Sequence, residues 1–180
     1  MNLDRPREIV VDTGPLSHLA KAGWLSVLRY AANGSDVIIT EGVKAELTDG
    51  LHKHAHLQQV LDAQWICTKR LTSDREHDAF KVMAERLVVG TRNVGEAEVL
   101  AYAKEHDAVA VVDDGAGRKA ARDHGVTVKG TLAVLCDEVR AGRLTVEMVS
   151  ELADHLIETD YRLPFAPGGF KEWAGREGLC

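Results

Sequence analysis

Three aspartates follow apolar segments at positions where a sheet can place a reactive site. Ile9-Val10-Val11 is followed by Asp12, and the apolar run 108–112 is followed by Asp113 and Asp114. In an open parallel sheet, ligands bind beyond the carboxyl ends of the strands. We therefore expect these three side chains to lie at the same edge of the sheet.

Two glutamates are predicted on the apolar faces of helices. Glu46 follows Val43 by three residues, which places both on one side of a helix. Glu96 shares its stripe with Val99 and Leu100 in the same way. A carboxylate that points into an apolar interface is costly unless a charge or a metal ion compensates it, and neither stripe contains Lys or Arg. The glutamates are therefore expected to join the aspartates.

A cluster of carboxylates predicts a bound cation, because the charges repel one another without it. Ligation by oxygen alone selects hard ions, so Mg²⁺ or Mn²⁺ is expected rather than Zn²⁺. Such ions activate water and stabilise the attacking and leaving oxygens of phosphoryl transfer. The residues thus indicate a metal-dependent hydrolase that acts on phosphodiesters.

Each acid also has an interpretation that needs no ligand, as a turn residue, a solvated surface charge or a helix cap. Glu96 would be the return half of a capping box with Asn93. Asp114 would cap the helix that follows it. The functional interpretation depends on all five acids converging on one place.

The net charge of −6 at first argues against a nucleic-acid partner, since phosphates bind basic surfaces. Without the five acids, however, the net charge would be −1. The segment 115–130 contains four basic residues and one acid, Asp123. A local basic patch is compatible with an acidic total.

Strand and helix signals alternate along the chain, which predicts βαβ units and an α/β fold with a parallel sheet. One helix follows Thr40 and stops near Gly50. The predicted strands are 9–11, 37–39, 65–67, 108–112 and 126–128. The other predicted helices are 15–31, broken or bent near Gly23, 52–64, 73–87, 95–106, 114–124 and 131–140.

Four motifs in this order resemble those of the PIN-domain nucleases. They are Val-Val-Asp12-Thr-Gly-Pro-Leu, Val43-x-x-Glu46-Leu47, Gly95-Glu96-Ala-Glu and Val-Val-Asp113-Asp114-x-x-x-Arg118. The intervals are similar too, with 34 residues from Asp12 to Glu46 and 18 from Glu96 to Asp114. The resemblance spans residues 8–140, and Asp12, Glu46, Glu96 and Asp114 fall on the family's acidic quartet.

The resemblance implies a three-layer α/β/α sandwich with a central parallel sheet. It also implies Mg²⁺- or Mn²⁺-dependent cleavage of an RNA substrate, a protein antitoxin as partner of a toxin, and a homodimer. Asp12, Glu96 and Asp114 are expected to hold one ion, with Glu46 bound through water or orienting the nucleophile.

Further residues are assigned to the substrate and to a second ion. Thr13 falls where a hydroxyl supports the first aspartate, and Arg118 and Arg122 are expected to bind the phosphate backbone. The family often has an additional acid where this chain has Ala116, and Glu96 stands where many members have Asp. Asp113 is the remaining candidate ligand for a second ion.

Two other functions fit parts of the pattern. One is a PIN-like module that binds RNA or protein and has weak or lost catalysis. The other is a receiver-type phosphotransfer domain, which the pair Asp113-Asp114 suggests, but its residue order is wrong and Glu46 and Glu96 go unexplained.

The chain is expected to comprise a catalytic domain, 1–145, and a helical C-terminal extension, 146–180, that packs on the same domain. The three cysteines form no C-x-x-C pair, which favours free thiols in the reducing cytoplasm. The first residues contain no apolar signal-peptide core, and no apolar run is long enough to span a membrane.

Overall fold

Five parallel strands form one sheet in a computed structural model that describes residues 7–178. Residues 1–6, where no signal peptide is predicted, and residues 179–180, including Cys180, lie outside the described residues. The strands are β1 (Ile9–Val11), β2 (Val37–Thr40), β3 (Ile66–Lys69), β4 (Val109–Val111) and β5 (Val128–Lys129). Their order in space is β3-β2-β1-β4-β5.

Ten α-helices and one 3₁₀ turn, Ala55–Leu57, connect and follow the strands in the described part of the chain. The helices are α1 (Thr13–Lys21), α2 (Val27–Ala32), α3 (Glu41–Gly50), α4 (Gln58–Leu61), α5 (Asp74–Leu87), α6 (Val94–His106), α7 (Gly115–Asp123), α8 (Thr131–Arg140), α9 (Val146–Glu158) and α10 (Phe170–Arg176). None of the helices in residues 7–178 is both long and apolar enough to cross a membrane.

Both faces of the sheet are covered at its centre. Neighbouring residues of a strand point to opposite faces, and Val10, Val11, Ala110 and Val111 are all fully buried. Helix α6 packs on β1, β2 and β4, with α3, α5 and α7 around it, while α2 contacts β2 and α8. The predicted α/β sandwich with a central parallel sheet is confirmed.

The strand order places a crevice between β1 and β4. From β1 the chain winds outward through β2 to β3, and it then crosses back to β4 and β5 on the other side of β1. This reversal is the topological switch point at which open parallel sheets bind ligands. The residues that follow β1 and β4 therefore face the same crevice.

One helix prediction is confirmed and one needs revision. The stretch predicted to be broken or bent near Gly23 is broken there, where Gly23 has φ +80° and lies between α1 and α2. The predicted helix over 52–64 is wrong in extent, because only the 3₁₀ turn and α4 form there. Of residues 52–61, only Leu57 and Val60 are buried, which is too small an apolar face to hold a longer helix.

Helices α9 and α10 lie against the body of the fold. Helix α9 contacts α1 and α8, and α10 contacts α9. The Trp24 indole N–H donates to Nδ1 of His155 on α9 at 2.8 Å, and the buried ring of Phe170 anchors α10. The division of the chain at residue 145 stays a prediction.

The buried acid Glu76 connects the start of α5 to α6. Its Oε2 accepts hydrogen bonds from the backbone N–H groups of Ser73 at 2.7 Å and Thr72 at 2.9 Å, and its Oε1 pairs with His106 Nε2 at 2.8 Å. Together with the bond from Glu76 N to the Ser73 hydroxyl, this forms a capping box. Burial alone would raise the pKa of Glu76, but these hydrogen bonds outweigh burial and lower the pKa to about 2.

We expect Glu76→Gln to lower the free energy of unfolding by about 1–3 kcal/mol near neutral pH, because a charged acceptor of several donors is lost. The folded-state pKa lies below the unfolded-state value, so this stability is present above the unfolded pKa and disappears as the pH falls toward about 2. Urea unfolding near neutrality and in acid measures it. The exposed acid Glu85 on the same helix provides the control, Glu85→Gln. A loss for Glu76→Gln that is equally large in acid would contradict the assignment.

Candidate active site

Asp12 stands in the crevice between β1 and β4. Its backbone N–H donates to the carbonyl oxygen of Val111 at 3.1 Å, which ties the end of β1 to the end of β4. The pKa of its carboxyl is raised to about 6, mainly by burial and also by the charges of Glu46 and Asp113, while the N–H groups of Thr13 and Gly14 partly offset these effects. A carboxylate in this environment gains stability from a cation.

Glu46 reaches the same crevice from α3. The side chain of Thr40 caps this helix by accepting from Val43 N at 3.3 Å, as the sequence predicts. Glu46 Oε2 accepts from the Thr13 hydroxyl at 2.6 Å, and Oε1 accepts from Gly95 N at 3.0 Å. Both oxygens are thus oriented by neighbouring elements, and the Thr13 hydroxyl faces Glu46.

Glu96 is the most deeply buried of these acids, with 5% of its surface exposed. Its Oε1 is buried and has no hydrogen-bond partner among residues 7–178. Burial raises the pKa of its carboxyl to about 7, and the charges of Asp12, Asp114 and Glu46 add to that effect. The capping-box alternative is wrong, because Asn93 has φ +63° and its amide donates to the carbonyl of Leu87 at 3.0 Å.

Asp113 and Asp114 have different partners although they are adjacent. Asp114 is the N-cap of α7, where its Oδ1 accepts from the N–H groups of Ala116 at 2.8 Å and Gly117 at 3.2 Å. Asp113 accepts from the backbone N–H of Thr131 at 2.7 Å and from the Thr131 hydroxyl at 2.8 Å. The Asp114 cap uses one oxygen, whereas both Asp113 oxygens bind the start of α8.

The four acids of the predicted quartet have no basic partner in the part of the chain that the structure describes, although the charges of Asp12, Glu46 and Asp114 all act on Glu96. No Lys or Arg within residues 7–178 forms an ion pair with Asp12, Glu46, Glu96 or Asp114. In the same residues, no three carboxylate, imidazole or thiol side chains stand close enough together to hold one ion as they are placed. The donor set nevertheless fits Mg²⁺ or Mn²⁺, because it is all oxygen and includes the unpartnered Oε1 of Glu96. A cation would have to draw the carboxylates inward.

Glycines that sequence reasoning did not single out make room for the carboxylates. A Cβ on Gly117 would stand 2.6 Å from Cδ of Glu96, and a Cβ on Gly95 would stand 2.9 Å from Oε2 of Glu46. Such distances are closer than carbon and oxygen atoms approach, so a larger residue at either position would force the neighbouring carboxyl group to move. Both glycines lie in the first turn of a helix, and each is close to an acid in the sequence. Gly95 directly precedes Glu96, and Gly117 follows Asp114 by three residues.

Glu98 is half-buried and bridges α6 and α3. Its Oε2 accepts from Gly42 N at 2.7 Å, at the start of α3. A Cβ on Gly42 would stand 3.1 Å from Cα of Gly95, so the two helices are in close contact there. This contact fixes the helix that carries Glu46 against the helix that carries Glu96.

The predicted substrate arginines both lie on α7. Arg118 is half-buried, and a Cβ on Gly130 would stand 2.8 Å from its Nη1, so its guanidinium lies over the start of α8. Arg122 is exposed one turn further along. The roles of Arg118, Arg122 and Thr13 toward a substrate stay predictions, as do the assignments of the five acids as ligands.

Comparison with known proteins decides the family. The family model DUF3368, described as a PIN domain, matches residues 8–166. The chain belongs to the PIN-domain family. The match extends the PIN domain beyond the motifs at 8–140, through α9 and into the segment before α10.

A solved structure supports the same fold for this PIN domain. It is the crystal structure of VapBC2 from Rickettsia felis bound to a DNA fragment from their promoter, and one of its chains is similar with a TM-score of 0.51 and 14% sequence identity. The similarity covers 68% of this chain and 98% of that chain. No curated protein matches the sequence.

Proposed function

We propose that this PIN domain is a metal-dependent endoribonuclease. The observation that carries the proposal is Glu96, whose buried and unpartnered Oε1 is surrounded by the charges of three other acids. A buried acid of this kind raises the free energy of the metal-free fold, and a divalent cation removes that cost. PIN domains are generally nucleases, which supports the choice of a phosphodiester as substrate.

The residues divide into ligands and groups that orient them. Asp12, Glu96 and Asp114 would hold Mg²⁺ or Mn²⁺, which when bound would supply Lewis acidity at the scissile phosphate. Glu46, held by Thr13 and Gly95, would accept a proton from the attacking water. The Asp114 cap leaves its second oxygen for the ion, while Asp113 serves the start of α8 and is the weaker candidate for a second ion.

RNA binding would use the basic residues next to the acids. Arg118 and Arg122 lie on α7, whose N-terminus Asp114 caps, so both are on the element that also carries a ligand. Phosphate contacts from such residues position the backbone and carry no sequence information by themselves. The acidic total charge would confine strong RNA binding to this patch.

The partner proposed for the chain is a protein antitoxin. Its support is the likeness to a VapBC2 chain, a toxin–antitoxin system, together with the PIN family match. The homodimer and the cytoplasmic location also remain proposals. Co-purification with the product of the neighbouring gene tests the partner, and sedimentation of the free chain tests the dimer.

An RNA cleavage assay with purified protein tests the function. Fragments should appear with Mn²⁺ or Mg²⁺ and disappear when a chelator is added. Cleavage that persists in chelator would rule out metal dependence. Binding of RNA with no cleavage in either metal would instead favour the alternative of a binding module.

A further inference from the structure

A cavity of about 670 Å³ opens beside the acids, on the side where the chain leaves α9. Asp113 and Arg118 line one wall, His18 contributes from α1, and Tyr161 and Trp173 contribute from the C-terminal segment. This volume falls within the range of about 300–1,000 Å³ that small-ligand sites occupy. Asp113 lines the cavity, and its charge also acts on Asp12, so the cavity lies next to the crevice.

The cavity is lined by two arginines and two aspartates. Within residues 7–178, neither Arg118 nor Arg162 forms an ion pair. Asp113 accepts hydrogen bonds from Thr131, and the Asp160 carboxylate lies 4.0 Å from Lys21. The two guanidinium groups are therefore available to a ligand that carries negative charge.

Flat side chains hold fixed positions in the walls. The Trp173 ring lies 5.3 Å from Phe165 and 6.0 Å from the fully buried Phe170, centroid to centroid. These two neighbouring rings hold the Trp173 side chain in place. Tyr161 packs edge-on against His18 at 4.9 Å. These rings give a ligand apolar, planar surfaces on which to stack.

His18 adds a polar atom that the fold does not satisfy. Its Nδ1 is buried and lacks a hydrogen-bond partner in the described part of the chain. Burial lowers the pKa of the imidazole, so the ring is neutral near pH 7 and can donate or accept one hydrogen bond. Because this nitrogen is closed to solvent, a ligand would reach it only if the His18 ring turned toward the cavity.

We propose that this cavity binds one unpaired nucleotide of the RNA, next to the phosphate that faces the acids. The base would stack on Trp173 and Tyr161, and its phosphate would contact Arg118 and Arg162. Stacking on aromatic side chains and cationic contacts to phosphate are the two means by which proteins hold single strands. This inference rests on the proposed function and makes the segment after α9 a determinant of substrate choice.

The test is RNA binding by protein that carries Asp12→Asn, so that cleavage does not interfere. Fluorescence anisotropy with a short labelled single strand should show roughly tenfold weaker binding for Trp173→Leu. Arg162→Ala should weaken binding severalfold and reduce its salt dependence. Trp65→Leu and Arg75→Ala, at sites outside the cavity, are the matched controls and should bind as the parent does.

The outcomes separate the cavity from the catalytic proposal. Arg162 is exposed, so its variant reports on binding even if Trp173→Leu fails to fold. Unchanged binding by Arg162→Ala, or equal affinity for a duplex of the same sequence, would overturn the cavity site while cleavage by the wild type stands. Variants that weaken the binding of a protein partner, and leave RNA binding unchanged, would assign the cavity to that partner instead. If the Asp12→Asn protein binds no RNA, the cavity site falls, and the cleavage assay with the wild type decides the proposed function separately.

Discussion

Asp12→Asn is expected to reduce Mn²⁺-dependent RNA cleavage by at least about a thousandfold, and to leave the metal-free protein as stable as before or more stable. Asparagine keeps the shape of the side chain and removes its charge. Burial and the charges of Glu46 and Asp113 make that charge costly in the folded protein, as the raised pKa of Asp12 shows. Activity and stability should therefore move in opposite directions.

Thermal unfolding with and without Mn²⁺ separates the two effects. The wild type should melt at a higher temperature in Mn²⁺, because an ion that binds only the folded state stabilises it. Asp12→Asn should lose most of this shift. Asp36→Asn is the matched control, since Asp36 is exposed at the start of β2, at the opposite end of the sheet. Full cleavage activity in Asp12→Asn would sink the assignment of the site.

Gly117→Ala should lower Mn²⁺ affinity and cleavage by about a hundredfold, although it changes no acid. The added Cβ would collide with the Glu96 carboxyl group, at 2.6 Å from its Cδ, and would touch Val112 Cγ1 at 3.0 Å. Glu96 would have to turn away from the other acids. Mutation of a residue that only orients a metal ligand costs about 10–100-fold in metal affinity or activity. In Gly117→Ala the ligand itself would be moved.

Gly115→Ala provides an unusually close control for this variant. Gly115 lies on the same helix two residues earlier, and a Cβ there would meet no atom within 4 Å. Both changes gain about the same helix propensity, roughly 1 kcal/mol, so a difference between them reports on the Glu96 contact. Calorimetric titration with Mn²⁺ measures the affinity. Equal affinities for the two variants would contradict the proposed place of Glu96 in the site.

The sequence was sufficient to predict the parallel sheet and the places of Asp12 and Asp113 beyond the ends of its strands. Apolar runs that end in Asp12 and Asp113 suffice, because the carboxyl ends of parallel strands share one edge. Helix periodicity predicts Glu46 and Glu96 as site residues, because a carboxylate on the apolar stripe of a helix is costly without a compensating partner. These inferences use spacing within one element and a general rule about sheets.

The rest depended on contacts between elements, which spacing does not encode. The Thr13 hydroxyl binds Glu46, 33 residues away, and Asp113 binds Thr131, 18 residues away. Gly117 matters only because α7 passes over the Glu96 carboxyl. The short α4 has the same explanation, since the extent of a helix follows the surface available to cover it.

The acids of the site lie far apart in the sequence, from Asp12 to Asp114, and this has a consequence while the protein is being synthesised. Asp12 is translated early, but it is held beside β4, and β4 pairs with β5, which ends at Lys129. Domains fold as units, so a ribosome must translate most of this chain before the acids can assemble. A nascent nuclease of this design would stay inert next to the messenger RNA that encodes it until its fold is nearly complete.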